Sequence, residues 1–303
     1  WVILEQDLGS KIDLSRGIPR AETRVVRPEI AQEIVEFEQI LSRVTPGDPE
    51  GFEILYRSPE AQSGSKPKLG IFPTSADPIH RDHVRIIETI MERENLDEVV
   101  IMVSPHHVTE KPLSAKELAI RVAMIRETFR DNPKVSIAVS GLSRYSAYVK
   151  NISDVVQPTS LQIIMGMDNL QALLAQTETE ERETIVKMGN VLVNTRSNMG
   201  KEEFNRLLVE FGAPRSWAEG QKARYVPVTQ DNISSSDIRG MIERGESGWQ
   251  SLVAPGALAI IEKYNLFKNR SEARRSELRI LQNQFPLTRE DLTDQKVDEL
   301  INS

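Results

Sequence analysis

From residue 68 onward, short apolar runs alternate with longer stretches whose apolar positions recur every three or four residues. The runs at 68–72, 98–103, 135–139, 161–165, 191–194 and 225–228 are rich in Val, Ile and Met, and most lack in-out alternation. Continuous apolar runs of that length are expected of strands covered on both faces. The stretches between them, at 83–94, 114–130, 145–155, 169–188 and 200–211, carry helical spacing. Strand and helix in alternation predict an α/β fold built on a doubly wound parallel sheet with helices on both faces. Ligands of such sheets gather beyond the carboxyl ends of the strands.

The two ends of the chain read differently. Pro28 begins a pattern with Ile30, Ile34, Phe37, Leu41 and Val44 that predicts one amphipathic helix. Two stretches rich in turn residues follow, at 46–51 and 58–67. Residues 1–66 are therefore expected to form an N-terminal extension ending in a linker, ahead of a main domain at 67–267. Beyond it, 271–284 and 290–301 predict two charged helices separated by Pro286. These make a C-terminal helical appendage at 268–303 that caps the domain or mediates association, a homo-oligomer included.

Composition narrows the functional classes. A net charge of -7 argues against a large nucleic-acid footprint, which needs a basic face. No apolar run approaches the roughly 18 residues that suggest a membrane span. With no cysteine, disulfides and thiolate metal sites are excluded. That fits a reducing compartment, so the cytoplasm is expected. The N-terminus lacks the basic-then-apolar profile of a signal peptide, although the absence of an initiator Met leaves an upstream segment open.

Two short stretches carry the candidate chemistry. In Gly70-Ile-Phe-Pro-Thr-Ser-Ala-Asp-Pro-Ile-His-Arg-Asp-His83, a strand turns and re-enters a helix near His80. Asp77 before Pro78 suits the turn, and His80 and His83, three apart, share one side of the first helical turn. In Ile233-Ser-Ser-Ser-Asp-Ile-Arg239, Ser234, Ser235 and Ser236 offer cap hydroxyls and free amides at a helix start, with Arg239 one turn in. A guanidinium can fork two phosphate oxygens, and imidazoles can donate to a phosphoryl group gathering charge in a transition state. Together the stretches read as two halves of a phosphate clamp. All four histidines fall in two pairs, His80/His83 and His106/His107. A shared metal, with Asp82 as a third ligand, is the alternative chemistry for the first pair. It lacks a flanking carboxylate set, so no protein-held metal is assigned.

The first stretch resembles the G-x-[FY]-[DN]-P-x-H-x-G-H signature of the nucleotidylyltransferase superfamily, with Asp77, Pro78, His80 and His83 in place. The second is similar to I-S-S-[TS]-x-I-R and its continuation through Leu252-Val and a Leu266-Phe ending, as found in the nicotinate/nicotinamide mononucleotide adenylyltransferases. The resemblance implies a Rossmann-like domain that transfers an adenylyl group from ATP, accompanied by Mg²⁺, to a pyridine mononucleotide. The products would be a dinucleotide of NAD biosynthesis and pyrophosphate. By the same resemblance, His80, His83 and Arg239 are catalytic. Phe72, Asp77, Lys111, Asp168, Ser234, Ser235 and Ser236 meet ATP or its phosphates. Arg196, Tyr145 and Trp217 are candidates for the second substrate. No partner beyond these small molecules, neither nucleic acid nor membrane, is implied.

Four positions depart from the signature. Pro73-Thr74 replaces a glycine pair, Ala76 an aromatic residue, and Asp82 the glycine between the histidines. They motivate an alternative function, a nucleotide-binding regulatory or scaffold protein descended from such enzymes. Asp82 either faces the site, where its charge repels a polyphosphate, or turns outward to pair with Arg85.

Overall fold

A computed structural model describes residues 27–63, 66–104, 113–175, 180–188, 190–194, 200–215, 217, 222–228, 230–231 and 233–268. Its centre is a seven-stranded sheet of β1 (Phe52–Tyr56), β2 (Lys68–Pro73), β3 (Glu98–Val103), β4 (Val135–Ser140), β5 (Ser160–Gly166), β6 (Val191–Asn194) and β7 (Ala223–Tyr225). The strand order is β1-β4-β3-β2-β5-β6-β7. All neighbours pair in parallel except β1, which runs antiparallel to β4 at one edge. Every residue of β3 and of β4 is buried, as expected of strands covered on both faces, and their polar residues Glu98, Ser136 and Ser140 are buried with the rest.

Alternate residues of β3 feed opposite cores. Val99, Ile101 and Val103 join one cluster, and Val100 and Met102 another. The first face is covered by α1 (Ile30–Leu41), α2 (Arg81–Glu94), α3 (Ala115–Thr128), α8 (Ser235–Glu243) and α9 (Pro255–Tyr264). On the other lie α4 (Tyr145–Val156), α5 (Met167–Ala175), α6 (Glu180–Met188) and α7 (Lys201–Glu210). This is the expected α/β Rossmann-like architecture.

The structure differs from expectation at the edges. The helix expected in an appended segment is α1, and it buries Ile30, Ile34, Phe37 and Leu41 in the same core as α3. Arg27 anchors its start on the buried carboxylate of Glu127 at 3.0 Å. The strand β1 was not expected at all, and it extends the sheet by pairing Phe52 with Ser140 and Ile54 with Ala138. Residues 27–56 are thus continuous with the sheet and its core. Of the stretch expected as one helix at 169–188, α5 and α6 are helical, and 176–179 lie outside the described residues. At the far edge, β7 ends at Tyr225 rather than running through 228. Val226 still donates its amide to Val193 at 2.9 Å, after which Val226 and Val228 turn into the first-face core. The two charged helices expected at 271–284 and 290–301 lie outside the described residues. Among the described residues, no helix is long and apolar enough to cross a membrane.

Where α9 crosses α3, the backbones nearly touch. A Cβ built on Gly256 would lie 2.4 Å from the Glu127 carbonyl carbon and the Thr128 amide nitrogen. Neither atom can rotate away as a side chain would, so Gly256→Ala is expected to lower stability by about 1–3 kcal/mol through overpacking. Denaturant unfolding checks this, and a midpoint equal to the parent's would show that the helices separate freely.

Candidate active site

The loop from β2 to α2 is built by local polar ties. After Pro73, the Thr74 amide donates to the Met102 carbonyl at 3.0 Å, so the loop leaves the sheet alongside β3. The Thr74 hydroxyl then accepts the Ala76 amide at 3.1 Å. Ala76 is fully buried with φ at +46°, a backbone region that disfavours L side chains and that its small side chain tolerates.

His80 is the N-cap of α2, with the His80 and His83 rings stacked at 3.7 Å between centroids. The His80 amide donates to His83 Nδ1 at 3.3 Å. With Nδ1 accepting, the neutral His83 ring carries its proton on Nε2. That nitrogen sits 3.5 Å from the Thr74 hydroxyl, a long contact that a phosphate oxygen could replace. Phe72 supports the pair edge-on, 5.9 Å from the His83 ring.

The start of α8 is zipped onto this loop. Ser234 caps the helix by accepting the Asp237 amide at 3.0 Å, while its own amide donates to Asp237 Oδ2 at 3.1 Å. Ser235 donates its hydroxyl to the Pro78 carbonyl at 3.0 Å. Arg239 donates from Nη1 to the Asp77 carbonyl at 2.6 Å and from Nη2 to the Ser236 hydroxyl at 3.1 Å. A third segment closes the cluster, as Arg81 donates its amide to Leu252 at 3.0 Å and His80 bridges to Val253. Leu252 and Val253 fall within the quoted C-terminal pattern, but nothing in sequence spacing says that they pair with His80.

Asp77 has a different environment from the one expected. Its carboxylate is buried between two guanidiniums, with Arg121 Nη2 at 3.0 Å and Arg239 Nη1 at 3.3 Å. Arg121 also donates to the Ser75 carbonyl at 3.3 Å. An anion so placed orients cations more readily than it meets phosphate. The Arg121 role was unassigned by sequence reasoning, although its place on α3 is legible as a buried position in a helical pattern.

Asp82 makes the expected pair with Arg85, but it is buried rather than turned outward. It is 1% exposed, and it accepts the amides of Asp231 at 3.0 Å and Ile233 at 3.4 Å, besides pairing with Arg85 at 3.3 Å. It therefore faces the chain entering α8.

These loops lie at the carboxyl end of β2. The neighbours of β2 are β3 on one side and β5 on the other, the point where strand order reverses. Asp168 lies across that point, exposed in the first turn of α5. Tyr145 starts α4, half-buried and edge-on to Tyr148 at 6.1 Å. Burial, with the Glu181 carboxylate adding to it, pushes the Tyr145 hydroxyl up to about 12. Trp217 is 1% exposed and packs with Phe204 and Leu208 on the second face. A stacking platform needs an open ring face, so Trp217 is a core residue rather than part of a substrate pocket. Lys111, Arg196, His106 and His107 lie outside the described residues. Among the described residues, no three His, Asp or Glu side chains gather as a metal-binding group.

A family model described as cytidylyltransferase-like matches residues 71–241, from within β2 into α8, taking in both loops of the clamp. The chain belongs to the cytidylyltransferase-like family. Two relatives match about two thirds of the chain. A protein of Dehalococcoides mccartyi is 26% identical over 208 residues, spanning 66% of this chain and 97% of its own. One of a Thermoanaerobacter species is 28% identical over 211 residues, spanning 68% and 96%. Both bear the name probable nicotinate-nucleotide adenylyltransferase. The fold is similar to that of Plasmodium falciparum nicotinic acid mononucleotide adenylyltransferase complexed with NaAD, with a TM-score of 0.51 and 15% identity over 66% of this chain and 96% of that one. Family membership thus unites the sheet, the switch point and the paired loops in one known scaffold.

Proposed function

We propose that this chain transfers the adenylyl group of ATP to nicotinate mononucleotide. The observation that carries the reading is the zipped pair of loops, in which Ser235 and Arg239 bind the backbone of the loop leading to His80. This sets two groups of phosphate donors against each other at the sheet's switch point. The names of the relatives support the substrate.

In the proposed reaction, a 5′-phosphate oxygen of the mononucleotide attacks the α-phosphorus of ATP. The bond to the bridging oxygen breaks in line, and pyrophosphate leaves. The protein supplies position and charge stabilisation, and no covalent intermediate is needed. His80 and His83 face the transferred phosphoryl group, with His83 donating from Nε2. Ser234, Ser235, Ser236 and Arg239 hold the leaving pyrophosphate at the N-terminus of α8, where amides and the helix dipole favour anions. Asp77 meets phosphate only indirectly, by orienting Arg239 and Arg121. Lys111 is assigned to a phosphate, and Arg196 and Tyr145 to the mononucleotide.

Mg²⁺ fits as an ion that enters with ATP, because Asp168, an exposed carboxylate at the switch point, suits a site completed by phosphate oxygens and water. When bound, it would neutralise charge developing on those oxygens. Asp168 would orient it or the ribose.

The direct test is product analysis with ATP and either nicotinate or nicotinamide mononucleotide. Stoichiometric dinucleotide and pyrophosphate with nicotinate mononucleotide support the reading, whereas tight nucleotide binding with no pyrophosphate release overturns it. A finer expectation concerns Arg239. Arg239→Ala should weaken ATP binding by about 1.5–3 kcal/mol, the range for a hydrogen bond to a charged group. Arg239→Lys, which keeps the charge but not the fork, should recover only part. Calorimetric titration measures both, and parent-like affinity in folded Arg239→Ala removes it from the phosphate site.

A further inference from the structure

Asp82 sits in the first turn of α2, two residues from His80, yet besides Arg85 on its own helix its carboxylate meets the chain that enters the other half of the clamp. Oδ1 accepts the Asp231 amide at 3.0 Å and Arg85 Nη1 at 3.3 Å. Oδ2 accepts the same amide at 3.2 Å and that of Ile233 at 3.4 Å. Arg85 Nη1 reaches on to Asp231 Oδ2 at 2.6 Å, so the side chain of Asp231 is held by the same group. Ile233 immediately precedes the N-cap of α8.

Among the described residues leading from β7 to α8, Val226 holds to Val193 at the start, Gln230 donates to Asn194 at 3.3 Å, and Val226, Val228 and Ile233 pack in the first-face core. Asp82 adds two backbone ties, at Asp231 and Ile233, just ahead of the N-cap. We propose that Asp82 is a positioning residue, which fixes the backbone at 231 and 233 and thereby sets Ser235 and Arg239 against the histidine loop.

Glycine at this position has no group to do this. Its presence would leave two loop amides to water, and the donors of α8 would sample several placements. The charge that would oppose a polyphosphate is answered locally, by two N–H groups and the Arg85 guanidinium. The same carboxylate that departs from the signature therefore acts as a strut between the two halves of the site.

The inference rests on the adenylyl-transfer reading, and one set of measurements separates the two. Amide hydrogen exchange at Asp231 and Ile233, and steady-state kinetics, are compared for the parent, Asp82→Asn and Asp82→Gly. In Asp82→Gly, exchange at both amides should speed up by about tenfold or more, and KM for ATP should rise by about tenfold, the scale of one lost charge-assisted hydrogen bond. Its kcat should fall by less than that of His83→Ala, since the histidines stay while the leaving-group donors are only loosened. Asp82→Asn keeps an acceptor oxygen and should fall between parent and Asp82→Gly in both readouts.

Unchanged exchange at both amides in the folded variants overturns the inference. So does tighter ATP binding by Asp82→Gly, the mark of repulsion relieved. If Asp82→Gly fails to fold, Asp82→Asn decides on the same two readouts. A parent that releases no pyrophosphate, but whose amides respond as described, overturns the adenylyl-transfer reading and leaves the strut standing.

Discussion

Replacing His83 by alanine is expected to lower turnover by roughly 10²–10³-fold, the cost of removing one preorganised transition-state donor, with a smaller effect on ATP binding. The geometry makes the proton's position definite. Nδ1 takes the His80 amide at 3.3 Å, so the donor is Nε2. Alanine also removes that cap, and a frayed α2 alone could slow the enzyme. His83→Gln separates the causes, because a glutamine at the third helical position can accept the N-cap amide. Single-turnover rates for the three proteins check this. Full recovery in His83→Gln would reduce His83 to a structural cap, whereas a persistent loss with restored stability identifies the ring as the donor. His80→Ala should show a loss of similar size, since the two rings stack as one unit.

Replacing Asp77 by alanine is expected to cost about 3–5 kcal/mol of stability, because it strands buried positive charge. The Arg121 side chain is only 8% exposed, and its partner carboxylate 7%. Arg239, at 18%, can turn toward water, so Arg121 bears most of the cost. Asp77→Asn retains the shape and one acceptor oxygen, and should lose less. Urea unfolding measures both. A loss below about 1 kcal/mol for Asp77→Ala, the usual worth of an exposed pair, would show that water reaches Arg121 after all. Activity should fall in parallel, as Arg239 loses the carboxylate that aims it.

Both expectations depend on contacts between segments far apart in sequence. Asp77 and Arg239 are 162 positions apart, yet their bond joins the two loops. Each half was legible alone. A strand running into a Pro-rich turn, and a triple serine opening a helix, have local causes in capping and turn chemistry. Their mutual zipping has none, because a hydrogen bond between distant loops leaves no periodicity.

The alternation of buried strands and amphipathic helices, and hence the parallel sheet, is written into the sequence. The sequence also marked the residues of the two loops that meet at the carboxyl end of β2, since burial on two faces and helix capping both act within a few residues. That residues 27–56 build onto that sheet follows from packing between elements. An apolar stripe such as Ile30, Ile34, Phe37 and Leu41 shows that a helix must be covered, not what covers it. The same limit governed the single side chains. Trp217 reads as a candidate platform, though such residues more often pack, and its burial on the second face makes it core. Asp82 reads as a charge beside the histidines until the amides of Asp231 and Ile233, 149 and 151 positions away, are seen to receive it. Where a carboxylate points depends on which donors the fold brings within about 3 Å, and that is set by packing between elements rather than by neighbours along the chain.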